Sequence, residues 1–247
     1  MNGRHLMLPD PHLGRSVHVW AFGHFGPPVV IFPSAAGFAH EWQAQGMIEA
    51  LAPLIQRGAL KLYCPESNVA AAWTRRDEPA DARMQHHRRY EQFVLSTLLP
   101  FIREDCGGWS APVGAAGCSL GAMYAALFAL KFPEHFDRAL CMSGRYLATA
   151  FTDGELSTDI YFNSPLHFVP GLSGAALSRV QQQTHLTLVC GQGKWEEGCI
   201  EETVALAALC QRKQIPHTRD IWGKDVTHNW TWWKRQAQLH LGRWAQR

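Results

Sequence analysis

No stretch of this 247-residue chain is apolar for long enough to cross a membrane. The longest uninterrupted run, Ala122 to Leu130, is about half of the ~18–20 residues a span requires. The opening segment MNGRHLMLPDPHLGRS has no apolar core, so no secretory signal is expected, and the chain reads as soluble and cytoplasmic with no membrane partner. Neither sign of charge is in excess. The 23 Lys and Arg nearly balance the 21 Asp and Glu, leaving a formal +2, which implies no basic face and argues against nucleic acid. The one dense basic stretch, RMQHHRRY (Arg83 to Tyr90), reads as the solvated face of a helix. No Ser/Gly-rich linker, low-complexity tract or internal repeat is present, so residues 1–247 are expected to form a single domain. The seven cysteines are odd in number and none are spaced CxxC. Cys64, Cys141 and Cys190 fall inside apolar strand-like runs, where a free cysteine behaves as a small hydrophobe. Neither a disulfide framework nor structural zinc is expected, which suits a reducing compartment.

What is present is an alternation of short apolar runs with longer helical patterns. SVHVWAFG, PPVVIFPS, LKLYCPE, PVGAAG, RALCMSG, HLTLVCG and HTRDIWG read as strands. Between them, HEWQAQGMIEALAPLIQRG reads as one helix stopped by Gly58, and Asp81 to about Cys106 as a long one. Glu201 to Gln214 reads as an amphipathic helix, and a tryptophan-rich helix from Asn229 closes the chain. Such alternation predicts an α/β fold, a mostly parallel sheet with helices on both faces. Its sites belong at the carboxyl ends of the strands. Between Tyr146 and Thr184 the pattern breaks into turns, aromatics and helical fragments. A segment of that length between two strands is expected to be a short, ordered, cap-like insertion at about residues 146–184.

The stretch that carries chemistry is VGAAGCSLGAMYAALFALKF, Val113 to Phe132. Gly117-Cys118-Ser119-Leu120-Gly121 is a G-x-S-x-G between a strand and a helix, the setting of a nucleophile elbow. The glycines allow a sharp turn that lifts the serine hydroxyl above the sheet edge, and the helix start behind it favours a developing oxyanion. Ser119 rather than Cys118 takes the apex. On this architecture the partners follow in the order acid, then histidine. In DIWGKDVTHNWTWWK, His228 combines a late position, a polar loop and a helix start directly behind it. His217 precedes the last strand and would sit at the wrong end of the sheet. The acid is expected after HLTLVCG, where Glu196 is preferred, its neighbour Glu197 is the alternative, and Asp225 stands behind both. The oxyanion donors are expected to be the backbone N–H groups of Leu120 and of Ala35, the latter in the small-residue turn PSAAG. No metal or other cofactor is required. His40-Glu41-Trp42 lacks the second histidine of HExxH, since Ala44 stands there, and His86 and His87 point apart on a helix.

The motifs FPSAAG, GCSLGAMYAA, CMSG and DVTHNWTWWK resemble those of the α/β-hydrolase superfamily over nearly the whole chain. More narrowly they are similar to the esterase branch that holds S-formylglutathione hydrolases, feruloyl esterases, mycolyl transferases and small bacterial esterases. The resemblance implies an α/β-hydrolase fold and a Ser–acid–His hydrolase working through an acyl-enzyme, with Ser119 and His228 in their family positions. It departs at Pro33-Ser34, where many relatives carry His-Gly, and at Lys194, where the acid is often an aspartate. Mycolyl transferases use a glutamate slightly later, the position of Glu196 or Glu197.

The substrate is expected to be a small-molecule ester of short to medium acyl chain. Phe38, Tyr146 and Trp230 are the expected substrate-binding residues, with Trp73, Phe151, Tyr161 and Phe162 as further aromatic candidates. Arg145 would hold a carboxylate or pair on the surface. The competing readings are an acyl transferase or thioesterase using the same triad, and a non-catalytic hydrolase-like binding protein.

Overall fold

The computed structural model describes residues 2–244. Eight strands, β1 (Arg4–Asp10), β2 (Arg15–Phe22), β3 (Pro28–Phe32), β4 (Lys61–Pro65), β5 (Val113–Cys118), β6 (Phe136–Met142), β7 (His185–Cys190) and β8 (His217–Ile221), form one sheet. They stand in the order β1-β2-β4-β3-β5-β6-β7-β8. From β4 across to β8 every neighbouring pair is parallel. Only β2 breaks the pattern, running antiparallel to both β1 and β4. The mostly parallel α/β sheet is the one expected from the alternation of elements, and the arrangement is the α/β-hydrolase fold that the resemblance implied.

Eleven α-helices in the described residues cover this sheet: α1 (Glu41–Ala44), α2 (Met47–Gln56), α3 (Val69–Ala72), α4 (Ala80–Phe93), α5 (Leu99–Asp105), α6 (Leu120–Lys131), α7 (Thr158–Phe162), α8 (Pro165–Gly171), α9 (Gly174–Gln183), α10 (Cys199–Arg212) and α11 (Trp230–Trp244). Two cores result, one on each face, because successive strand residues point to opposite sides. In β3, Val30 and Phe32 pack with Tyr90, Tyr124, Phe128 and Leu206 on one face. Val29 and Ile31 pack with Ile48 and Leu51 of α2 and Trp233 and Leu241 of α11 on the other. Among the described residues no helix is long and apolar enough to cross a membrane. All seven cysteines are free, and all but Cys106 are buried.

Several elements differ from the sequence expectation. The helix expected from His40 to Gly58 is two, because Gly46 at φ +73° turns the chain between α1 and α2. β1 was not expected at all. Its two faces are unequal only by degree, and Pro9 and Pro11 read as loop, yet a proline is tolerated on an edge strand such as this. Arg4 at its start is tied to Asp105 at the end of α5 by an ion pair at 2.5 Å. The basic stretch in α4 is not a solvated face: Arg83, Met84, His87 and Tyr90 are buried, and only its other side, with Arg88 and Arg89, is exposed. Arg83 keeps a partner there, donating to the carbonyl of Phe151 at 3.1 Å. The Tyr146–Thr184 stretch carries α7, α8 and α9, and Ile160, Phe168, Val169 and Val180 from it join the core on the α6 face.

Candidate active site

Because β3, β5, β6, β7 and β8 run parallel, the loops that leave them open on one edge of the sheet. Ser119 leaves β5, Ser143 leaves β6, Glu196 leaves β7 and His228 leaves β8. The sequence keeps these residues far apart, and only the sheet brings them together.

Ser119 has φ +56° and ψ −123°, a conformation a non-glycine residue adopts only when its surroundings impose it. Its N–H donates to the carbonyl of Met142 at 2.9 Å, and its own carbonyl accepts from Ala122 at 3.0 Å as α6 begins. Both glycines of the motif are sterically required. A Cβ on Gly117 would meet the backbone of Gly121 well inside van der Waals contact. A Cβ on Gly121 would collide with the carbonyl of Phe32 and lie 2.6 Å from that of Pro33. The elbow is therefore pressed against the end of β3, which sets the Pro33–Gly37 turn beside Leu120. Cys118, next to the serine, is fully buried, and that burial pushes its thiol well above its ordinary pKa.

The histidine reaches both ways. Its Nε2 lies 3.1 Å from Ser119 Oγ and its Nδ1 3.2 Å from Glu196 Oε2. Glu196 is 1% exposed, so this carboxylate is a buried group held by named partners. Ser143 Oγ donates to its Oε1 at 2.7 Å, and the thiol of Cys190 approaches Oε2 at 3.4 Å. Trp233 Nε1 donates to Ser143 Oγ at 3.0 Å, while its ring stands edge-on to the imidazole of His228 at 4.7 Å. Backbone bonds stitch the two loops together: Gly193 N–H to the Val226 carbonyl at 2.8 Å, and His228 N–H to that of Lys194 at 3.2 Å. Asn229 caps α11 by accepting from Thr231 N–H at 2.9 Å, fixing the helix start behind the histidine.

The turn after β3 is held from one side. Glu41 of α1, buried, accepts from Ser34 N–H at 2.6 Å and from the Ser34 hydroxyl. Burial raises its pKa, against the lowering effect of those hydrogen bonds. Gly37 N–H closes on the Ser34 carbonyl at 3.1 Å, which leaves Ala35 exposed at the crest of the turn.

Ser119, His228 and Glu196 are thus brought into one hydrogen-bonded run, while Glu197 and Asp225 are exposed and turned away from it. Leu120 opens α6 directly after the serine, and Ala35 lies in the turn after β3. The aromatic expectations divide. Phe38, 59% exposed, stacks on His40 beside the β3 turn, and Trp230 is half-buried against Trp233. Tyr146 needs correction: at 0% exposure its ring lies in the core under Gly144 and offers no face to a substrate. The phenol points into the packed interior because the backbone N–H groups of Tyr146 and Leu147 are anchored on buried Glu202. Trp73 is also core. Tyr161 and Phe162 line a groove with Lys131 and Phe132 at the far end of α6, about 18 Å along that helix from the elbow. Arg145 pairs with Glu202 at 2.6 Å. Sequence reasoning gave no role to Ser143, Trp233 or Glu41, although Ser143 lies in CMSG and Trp233 in DVTHNWTWWK. Their one signal is position, at a strand end or the first turn of a helix.

The model of the family described as "Putative esterase" matches residues 13–241. No curated protein matches the chain. Among solved structures, the chain is similar to a ferulic acid esterase, with a TM-score of 0.78 at 15% identity over 99% of this chain and 98% of that one. It is similar to the S-formylglutathione hydrolase FrmB of Staphylococcus aureus, with a TM-score of 0.75 at 14% identity over 99% and 96%. It is also similar to MPT51 (FbpC1) of Mycobacterium tuberculosis, with a TM-score of 0.69 at 16% identity over 100% and 98%. At these identities the structural likeness is one of fold.

Proposed function

This chain belongs to the esterase family whose model spans residues 13–241 and is a carboxylic-ester hydrolase; we propose that it works through an acyl-enzyme on Ser119. The observation that carries this reading is the continuous run from Ser119 Oγ through both nitrogens of His228 to buried Glu196. His228 takes the serine proton as Oγ attacks the ester carbonyl. Glu196 holds the imidazole in the tautomer with its proton on Nδ1 and stabilises the cation that forms, without taking the proton. The oxyanion rests on the N–H groups of Leu120 and Ala35, each worth ~3–4 kcal/mol of barrier at such sites. His228 then protonates the leaving alcohol and activates water to release the acid.

The substrate is a small-molecule ester. Phe38, exposed near the turn after β3, and Trp230, two residues past His228, would favour an apolar acyl or aryl group. Ser119 is partly exposed, and the His228 side chain keeps 19% of its surface. Water therefore reaches the acyl-enzyme, which favours hydrolysis over transfer to a second alcohol. The test is intact mass after treatment with a fluorophosphonate, beside Ser119→Ala. A single adduct on the wild type, absent from a folded variant, is the expected result. A folded wild type that takes no adduct, or a variant that turns over esters normally, overturns the triad.

A further inference from the structure

One side chain at the acid has no part in the triad. Cys199, the first residue of α10, is 5% exposed. Its sulfur, a carboxylate oxygen of Glu196 and a ring nitrogen of His228 all lie within 4.8 Å of one another. Sulfur, imidazole nitrogen and carboxylate oxygen are the donor types that Zn²⁺ takes. Zinc bonds of about 2.0–2.3 Å place tetrahedral ligand atoms roughly 3.3–3.8 Å apart. The His228–Glu196 pair already stands at 3.2 Å, so closing the cluster on an ion asks for side-chain shifts on the order of 1 Å. A thiolate and a carboxylate balance the charge of a divalent ion, which leaves a neutral site in a buried place.

We propose that Glu196, Cys199 and His228 form an inhibitory site for zinc or a similar thiophilic divalent cation. The inhibitory effect rests on the triad reading; the site itself does not. As a general base, His228 needs a proton on Nδ1, facing Glu196, and a lone pair on Nε2, facing Ser119. The bound ion takes the Nδ1 lone pair, so the ring proton is carried on Nε2 instead. Cys199 gives its thiol proton to solvent as the metal–sulfur bond forms. With Nε2 protonated the imidazole no longer accepts the serine proton, and the carboxylate that would steady its cation is engaged by the ion. The partly exposed face of His228 is the route of entry, and a water completes the fourth position. Cys190 donates its thiol to Glu196 Oε2 at 3.4 Å and is not one of the three clustered ligands.

The test uses the full chain freed of metal by a chelator and titrated with Zn²⁺, with Cys199→Ser and Cys199→Ala alongside. Both variants are checked by thermal melting and retain ester hydrolysis. Zinc is expected to abolish hydrolysis and fluorophosphonate labelling of the wild type reversibly, with recovery on adding EDTA. Either variant should need roughly tenfold more zinc or beyond. Cd²⁺ gives a second readout that does not depend on activity, a thiolate-to-metal absorbance in the ultraviolet. That band should be present in wild type and Ser119→Ala and lost in the Cys199 variants. Equal zinc inhibition of wild type and variants, or a cadmium band that survives removal of Cys199, overturns the site. A band that tracks Cys199 in a protein with no ester hydrolysis at all upholds the metal site and removes the triad.

Discussion

The two halves of the proposed active centre are built in opposite ways. The nucleophile half is one continuous segment, Val113 to Gly121, in which strand, turn and helix start follow without interruption. The base and acid half is assembled from two loops, 191–196 and 223–228, that meet only because β7 and β8 pair in parallel. The first half depends on what is missing, the two Cβ atoms of Gly117 and Gly121. The second depends on what is added: backbone bonds between the loops, a serine from β6 and a tryptophan from α11. A local device tolerates no substitution at its hinge, whereas a distributed one should fail in steps.

The largest expected effect breaks the distributed half at its buried charge. Glu196→Gln keeps the shape but no longer favours the Nδ1–H tautomer, and kcat should fall about 10³- to 10⁴-fold with the fold intact. The local half breaks instead in stability. Gly121→Ala drives a methyl group into the Phe32 and Pro33 carbonyls, at a cost of about 3 kcal/mol, read as a Tm roughly 6–12 °C lower. A partial failure is expected from Ser143→Ala, which removes the donor to Glu196 Oε1. Hydrogen bonds to a charged group contribute about 1.5–3 kcal/mol, so kcat should drop roughly 10- to 100-fold with KM little changed.

Acid exposes a third contrast, along α6 itself. The elbow sits at its start, while at its end Lys131 pairs with Glu91 and donates to Asn163 Oδ1 at 2.7 Å. Burial raises the pKa of Glu91, but His87 and Lys131 together outweigh it and hold the carboxyl at about 2 against its ordinary 4.5. Because the folded value is the lower one, this stabilisation is complete above pH 4.5 and is lost as the pH falls towards 2. Thermal melts across that window should show the loss, and Glu91→Gln should flatten it. The smallest effect is the control: Glu197→Gln, at an exposed position, should leave kcat within about twofold.

The unevenness of the two halves explains what could be read ahead of the structure. Ser119 was legible because its conformation is set by its immediate neighbours, and His228 because chain order on this architecture places it. Tyr146 misled because an aromatic after a strand end looks the same whether it faces a substrate or the core. The decision lies with Glu202, 56 residues further on, whose carboxylate holds the Tyr146 backbone. The α4 basic stretch misled for a related reason: arginine and histidine mark a solvated face only where nothing packs on them. β1 escaped notice because an edge strand needs little alternation and can carry a proline.

Local chemistry in the chain determined the parallel sheet, the elbow and the choice of Ser119 as the proposed nucleophile, since apolar periodicity, small residues and glycine act over a few positions. For the acid it ranked Glu196 ahead of Glu197 and Asp225 without separating the two glutamates by geometry, because adjacent residues have the same neighbours in sequence and differ only in which way they face. Tertiary structure decided between them. The stitching of 191–196 to 223–228 turns Glu196 inward onto His228 and Ser143 and leaves Glu197 in water. A buried carboxylate is tolerable only where such partners meet it, and two of those partners, Ser143 and His228, follow other strands, β6 and β8.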